Sequence, residues 1–204
     1  MDDMLQAFQN IPTTSASDAS NGLNNLDPSI KPLKETYQMA GRAFTVKLPA
    51  GDNLAVLKAI KEAQPGDILV VDAQGEQYRA IAGDFVAGMM QTMGLGGLVV
   101  DGVIRDISDI KALDFPVFCK GTTVASSGKT GVGDVNETIA CGGVSVQPGD
   151  LIIGDADGVV VVPQSTEQDV LDKATEKIAK DNDRDEKVSG KPEEIHAYID
   201  RMLK

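Results

Sequence analysis

Apolar residues recur along this chain with two periods, and the changes between them mark its elements. Residues 42–48 alternate, with Ala43, Phe44, Val46 and Leu48 apolar, which predicts a strand. Behind Asp52-Asn53, a pair suited to capping, Leu54, Leu57, Ala59, Ile60 and Ala63 fall on one helical face. Pro65-Gly66-Asp67 then turns the chain into Ile68-Leu69-Val70-Val71, an unbroken apolar run typical of a buried strand. Residues 78–81 read as a further strand. Asp84 stands where an N-cap belongs, ahead of a helical segment with Phe85, Val86, Met89, Met90 and Met93. Gly94, Gly96 and Gly97 end it, and Leu98-Val99-Val100 is a second buried strand that breaks at Asp101-Gly102. Ile107, Ile110 and Leu113 suit a short helix, 116–119 a brief strand, 121–133 a polar loop or exposed hairpin, and 138–146 more strand. Val159-Val160-Val161-Val162 closes the sheet region. From Ser165 the period is helical again, through Val170, Leu171, Ala174 and Ile178. The charge run 180–187 reads as a solvated helix end, and 192–203 as a last amphipathic helix. Residues 1–40 read as two short helices around a loop.

Many short strands mixed with helices predict one α/β domain. It divides into an N-terminal helical arm (1–40), a core (41–163) and C-terminal helices (164–204). One internal similarity stands out. Gln64-Pro65-Gly66-Asp67 and the apolar run after it resemble Gln147-Pro148-Gly149-Asp150 and Leu151-Ile152-Ile153. Two copies of one turn-and-strand design are too few for a solenoid.

Nineteen basic against thirty-one acidic residues leave a net charge of −12. That argues against nucleic acid or an anionic membrane as a partner. No apolar run approaches the ~20 residues of a membrane span. The acidic start Met1-Asp2-Asp3 lacks the basic, apolar character of a signal peptide, so a cytoplasmic location is expected. Cys119 and Cys141 form no Cys-x-x-Cys pair and read as buried free thiols.

Several motifs fail on inspection. Gly128-Lys129-Thr130 resembles the end of a phosphate-binding loop, but Thr123 stands where its first glycine belongs. Gly94-Leu95-Gly96-Gly97 follows a helix and precedes a strand, the reverse of a dinucleotide-binding turn. Asp155-Ala156-Asp157-Gly158 is a tight turn rather than a calcium loop. His196, the only histidine, sits among polar neighbours in the last helix.

The candidate chemistry lies in 82–109. The helix start near Asp84 offers unpaired N–H groups to an anionic oxygen. Arg105 carries a planar fork of donors that matches a carboxylate or an enolate. Asp106 is a hard oxygen ligand, and one or two carboxylates with waters make an ordinary Mg²⁺ site. On local chemistry alone the plainer reading is favoured: a surface Arg-Asp ion pair and a helix cap.

A resemblance changes that weighting. Gly83-Asp84 before a helix, then the run from Gly94 through Leu98-Val99-Val100-Asp101-Gly102-Val103-Ile104-Arg105-Asp106, resembles the signature of one family. Its members include the 4-hydroxy-4-methyl-2-oxoglutarate aldolases and the regulator of ribonuclease E activity A. Met39-Ala40-Gly41-Arg42-Ala43, Gly51-Asp52-Asn53-Leu54, Pro116-Val117-Phe118 and Pro148-Gly149-Asp150 extend the match over most of the chain.

The resemblance implies a layered β/β/α sandwich of the swivelling-domain type, assembled as a homotrimer or a dimer of trimers. It implies a metal-dependent lyase that makes pyruvate enolate, from 4-hydroxy-4-methyl-2-oxoglutarate or by decarboxylating oxaloacetate, both small α-keto acids. Asp106 would hold a divalent cation, Mg²⁺ or Mn²⁺, and Arg105 would stabilise the enolate oxygen. Asp84 would orient a metal-bound water, and the N–H groups of Gly83, Asp84, Phe85 and Val86 would take the substrate carboxylate. An acid from the neighbouring subunit, commonly Glu in the aldolases, aligns with Asp181 here. A Schiff-base aldolase would instead need a desolvated lysine. Lys120 is the one considered, and a surface role is the expected one. The alternative from another class is a non-catalytic regulator like the inhibitor of ribonuclease E, which resembles a chain without the two C-terminal helices.

Overall fold

The computed structural model describes residues 3–129, 131 and 133–204; Thr130 of the rejected phosphate-loop motif lies outside them. In chain order the elements are α1 (Asp3–Phe8), α2 (Thr13–Ala19), β1 (Lys31–Pro32), β2 (Met39–Lys47), α3 (Leu54–Glu62), β3 (Ile68–Glu76), β4 (Arg79–Ala80), α4 (Asp84–Thr92), β5 (Gly97–Ile104), α5 (Ile107–Leu113) and β6 (Val117–Thr122). Then come β7 (Ala125–Ser126), β8 (Asp134–Val135), β9 (Ile139–Cys141), β10 (Val144–Val146), β11 (Leu151–Asp155), β12 (Gly158–Val162), α6 (Glu167–Val188) and α7 (Pro192–Met202).

The main sheet runs β1-β6-β5-β3-β2-β11-β12, with β8 also on β2. Strands β2, β3, β5 and β6 are parallel neighbours. Each is joined to the next through one of α3, α4 and α5. Parallel strands need such crossovers, and here all three helices cover the same face. Val46, Leu69, Val71, Leu98, Val100 and Val117 meet Val56, Ile60, Met90 and Ile110 in that core. The alternate strand residues Val70, Val99 and Phe118 face a second core, closed by the β9–β10 hairpin through Ile139, Cys141 and Val146. Helix, sheet and hairpin make the layers. A third cluster sets α1, α2 and α6 against β11 and β12, with Phe8, Ile153, Val162 and Val170 buried.

Two expectations are corrected. The strand predicted at 78–81 shrinks to β4, which pairs with β7 instead of joining the main sheet. The strand after Gly97 does not break at Asp101-Gly102 but runs on to Ile104, with a register shift between Val100 and Val103. Asp101 survives inside it because Lys120 and the Gly142 N–H satisfy its carboxylate. Gly102 fits closely there: a methyl group would lie 3.1 Å from both Ala73 Cβ and the Glu76 carbonyl.

The internal similarity is real geometry. Asp67 Oδ2 accepts the Gln64 N–H at 2.8 Å, and Asp150 Oδ2 accepts the Gln147 N–H at 2.8 Å. The glycines between, Gly66 and Gly149, have φ of 91° and 83°. The strands launched by these turns, β3 and β11, flank β2 on its two sides. Among the described residues no helix is long and apolar enough to cross a membrane.

Candidate functional site

Because α3, α4 and α5 each follow a parallel strand, their N-termini open along one edge of the sheet, where the strands end. Open α/β sheets bind ligands at that edge. The chain enters α4 through Ile81 and Ala82, which are zipped to the end of β5. The Ile81 N–H donates to the Val103 carbonyl at 2.8 Å, and the Arg105 N–H to the Ala82 carbonyl at 3.0 Å. From the other side, buried Asn53 donates through Nδ2 to the Ile81 carbonyl at 2.9 Å. The expected capping role at α3 belongs to Asp52, whose Oδ1 takes the Leu54 N–H at 2.8 Å.

Gly83, not Asp84, is the N-cap of α4, and no side chain caps the helix there. The Ala87 N–H reaches the Gly83 carbonyl at 3.0 Å. The preceding N–H groups, on Asp84, Phe85 and Val86, lie before any intrahelical acceptor. Asp84 is the first helical residue, exposed, with no side-chain partner among the described residues. Phe85 projects outward, 76% exposed.

Arg105 and Asp106 converge on Gly83. A Cβ placed on Gly83 would collide with Asp106 Oδ2 and lie 3.2 Å from Arg105 Nε. The two side chains pair at 3.2 Å and are 42% and 35% exposed. Asp106 has φ 57°, a left-handed conformation that Asp tolerates better than most residues. Its carbonyl accepts from Asp109 and Ile110 and so starts α5. The site is therefore a helix N-terminus, an arginine and a carboxylate over a glycine that leaves them room.

Asp181 is not brought to this site within one chain. It lies on α6, where it pairs with Lys177 and Arg184. Lys120 is neither a surface residue nor a desolvated base. It is largely buried between Asp101 at 2.6 Å and Asp27 at 3.3 Å. Burial works to lower its pKa, but the two carboxylates overcome that and raise it. An ammonium held this firmly does not become an imine-forming amine. Both cysteines are buried and free, as expected. Burial pushes the Cys119 thiol up to about 11 and Cys141 further. His196 is exposed on α7. Along α4 a shallow apolar groove of about 590 Å³ begins at Phe85 and runs over Leu57, Ile60, Met89 and Met93.

The family model described as "Aldolase/RraA", of RraA-like proteins, matches residues 13–161. The chain belongs to the RraA-like family. A protein of Halalkalibacterium halodurans, provisionally named a 4-hydroxy-4-methyl-2-oxoglutarate aldolase, is 55% identical over 201 residues, 98% of this chain and 96% of its own length. Among solved structures, an uncharacterised protein from Pseudomonas syringae pv. tomato superposes with a TM-score of 0.82 at 27% identity, covering 94% of both chains. The RNA-processing inhibitor RraA from Thermus thermophilus gives 0.69 at 30% identity, covering 74% of this chain and 92% of its own. The fold is thus that of RraA-like proteins, and the family spans an aldolase name and an inhibitor name. Asn53, which ties the start of α3 to Ile81, was legible in the sequence only as a capping candidate and as part of the Gly51–Leu54 motif.

Proposed function

We infer that this protein is a divalent-metal-dependent carbon–carbon lyase forming pyruvate enolate. Its reaction is retro-aldol cleavage of substrates like 4-hydroxy-4-methyl-2-oxoglutarate, decarboxylation of oxaloacetate, or both. The observation that carries this reading is the convergence of Arg105, Asp106 and the α4 N-terminus over Gly83. The 55% identity to a relative with an aldolase name supports it.

In both reactions the C3–C4 bond breaks and its electrons move onto the C2 carbonyl oxygen. The unpaired N–H groups of Asp84, Phe85 and Val86 bind the C1 carboxylate of the substrate. Arg105 donates to the oxygen as it gains charge, a contact stronger in the transition state than before it. Among the described residues no three His, Cys, Asp or Glu side chains are grouped to hold an ion. The donor set that fits is smaller: the Asp106 carboxylate, a third exposed and facing the room above Gly83, with waters completing the shell, the manner in which Mg²⁺ is commonly held. Mn²⁺ takes the same oxygen ligands. When bound, such a cation supplies Lewis acidity toward the keto oxygen. Asp84, exposed and unpartnered, orients a water that carries protons to and from the substrate.

The assembly we infer is a homotrimer or a dimer of trimers, in which Asp181 of one copy reaches its neighbour's site. Apolar side chains left open on α4 (Phe85), at its C-cap (Met93) and on α7 (Ile199, Met202) support self-association. The experiment that tests the function is pyruvate release from oxaloacetate by the purified oligomer, with Mg²⁺ and with chelator, beside Asp106→Asn. Metal-dependent turnover lost in the variant supports the lyase. Release no faster than Mg²⁺ alone produces overturns it and leaves the non-catalytic regulator as the alternative.

A further inference from the structure

A second arginine stands over the start of the neighbouring helix α3. Arg79 lies on β4, four residues before Gly83, and is exposed. Its side chain lies over Gly51: a Cβ placed there would be 2.7 Å from Arg79 Cδ and 3.5 Å from Nε. Gly51 has φ 70° and precedes the N-terminus of α3. Asn53 binds that N-terminus to the Ile81 carbonyl, and Ile81-Ala82 lead straight into Gly83. Arg79 and Arg105 therefore stand over the starts of two helices that open on the same sheet edge. Helices α3 and α4 are in contact, so the two arginines stand over adjacent helix starts.

The two arginines differ in their partners. Arg105 is paired with Asp106. Arg79 makes no ion pair with any described residue. The nearest carboxylate, Glu76, turns Oε1 to the backbone N–H groups of Tyr78 and Arg79, at 2.7 and 3.2 Å. Its Oε2 would lie 3.4 Å from the Cβ placed on Gly51. A guanidinium that no described carboxylate pairs is open to receive a planar anion in bidentate fashion.

We propose that Arg79 is the site's second anchor and binds the distal carboxylate of a dicarboxylic α-keto acid. The inference rests on the lyase reading for the site's location and gives it a specificity residue. Arg79 is predicted to select dicarboxylates over keto acids that end in a methyl group.

The test compares 2-oxoglutarate with 2-oxopentanoate, which differ only in that distal group. Binding to the intact oligomer is followed by calorimetry in the presence of Mg²⁺. The wild type is expected to bind 2-oxoglutarate at least tenfold more tightly. Arg79→Ala should lose that preference while holding 2-oxopentanoate as before, and Arg79→Lys should keep part of it. In the retro-aldol assay with 4-hydroxy-4-methyl-2-oxoglutarate, whose distal carboxylate stays charged through C3–C4 cleavage, Arg79→Ala should raise KM at least tenfold with little change in kcat. Equal loss for both ligands, no loss for either, or no wild-type preference would each overturn the assignment. A wild type that shows the Arg79-dependent preference but releases no pyruvate would refute the lyase and leave this inference standing.

Discussion

At Gly83 one missing methyl group decides whether the site can exist. The residue has φ −125° and ψ −171°, an extended backbone any residue adopts, so glycine is needed for room and not for conformation. Gly83→Ala should keep far-UV dichroism and melting temperature near wild type, yet cut turnover on the order of 10²-fold, as a misplacement of ~1 Å does. A fully active variant would show that Asp106 and Arg105 need not sit where they do. Asp106 and Arg105 were legible in the sequence as neighbours carrying opposite charge. Their convergence on a glycine more than twenty positions earlier was not, because it depends on how β5 and the segment before α4 are zipped together. Lys120 taught the same lesson, since its partners Asp27 and Asp101 come from distant parts of the chain. Buried thiols add a check. Burial holds the Cys119 thiol at about 11 against an ordinary 9, so the folded state keeps its proton where the unfolded chain loses it. That contribution to stability is complete below pH 9 and is lost as pH rises from 9 through about 11. Melting temperature should fall across that window, and Cys119→Ala should flatten the fall. An unchanged slope in the variant would assign the effect elsewhere.

Among the elements, period and glycine placement announced α3, α4, α5, β3 and β12 well, since each buries a face that its own residues define. Elements whose existence depends on distant partners were harder. The 78–81 segment has strand-like residues but lies beyond the shifted end of β3, so only Arg79 and Ala80 form a ladder, with β7, while Ile81 makes a single backbone bond to Val103 on β5. β5 continues through Asp101-Gly102 because β6 and the β9–β10 hairpin supply a cation and an N–H to a polar residue that would otherwise end it. Helix α6 joins the core at its first turn. There Glu167, 8% exposed, meets both terminal nitrogens of Arg42 on β2, and Arg42 also donates to the Gly149 carbonyl at 3.2 Å. Removing one member of a fully buried pair costs ~3–5 kcal/mol. With Arg42 a quarter exposed, Glu167→Ala should cost about 2 kcal/mol in urea unfolding, between the buried and surface cases. A loss near ~0.3 kcal/mol would class it with surface pairs.

For the whole molecule, the net charge of −12 gives an acidic surface, and the apolar residues left open on α4 and α7 are where the proposed trimer would pack. Light scattering at micromolar concentration should give a mass of three or six chains, and a monomer would remove Asp181 from the site. The lyase account turns on Arg105 more than on any other residue, because the charge it meets develops only as the C3–C4 bond breaks. The most direct measurement is kcat for pyruvate release from oxaloacetate and from 4-hydroxy-4-methyl-2-oxoglutarate, with saturating Mg²⁺, in wild type and Arg105→Ala of equal oligomeric state. The account predicts a loss of about 10²–10³-fold in kcat on at least one substrate, the loss typical of removing one donor to a developing oxyanion. Equal kcat in the two proteins, or no wild-type turnover on either substrate, would contradict it.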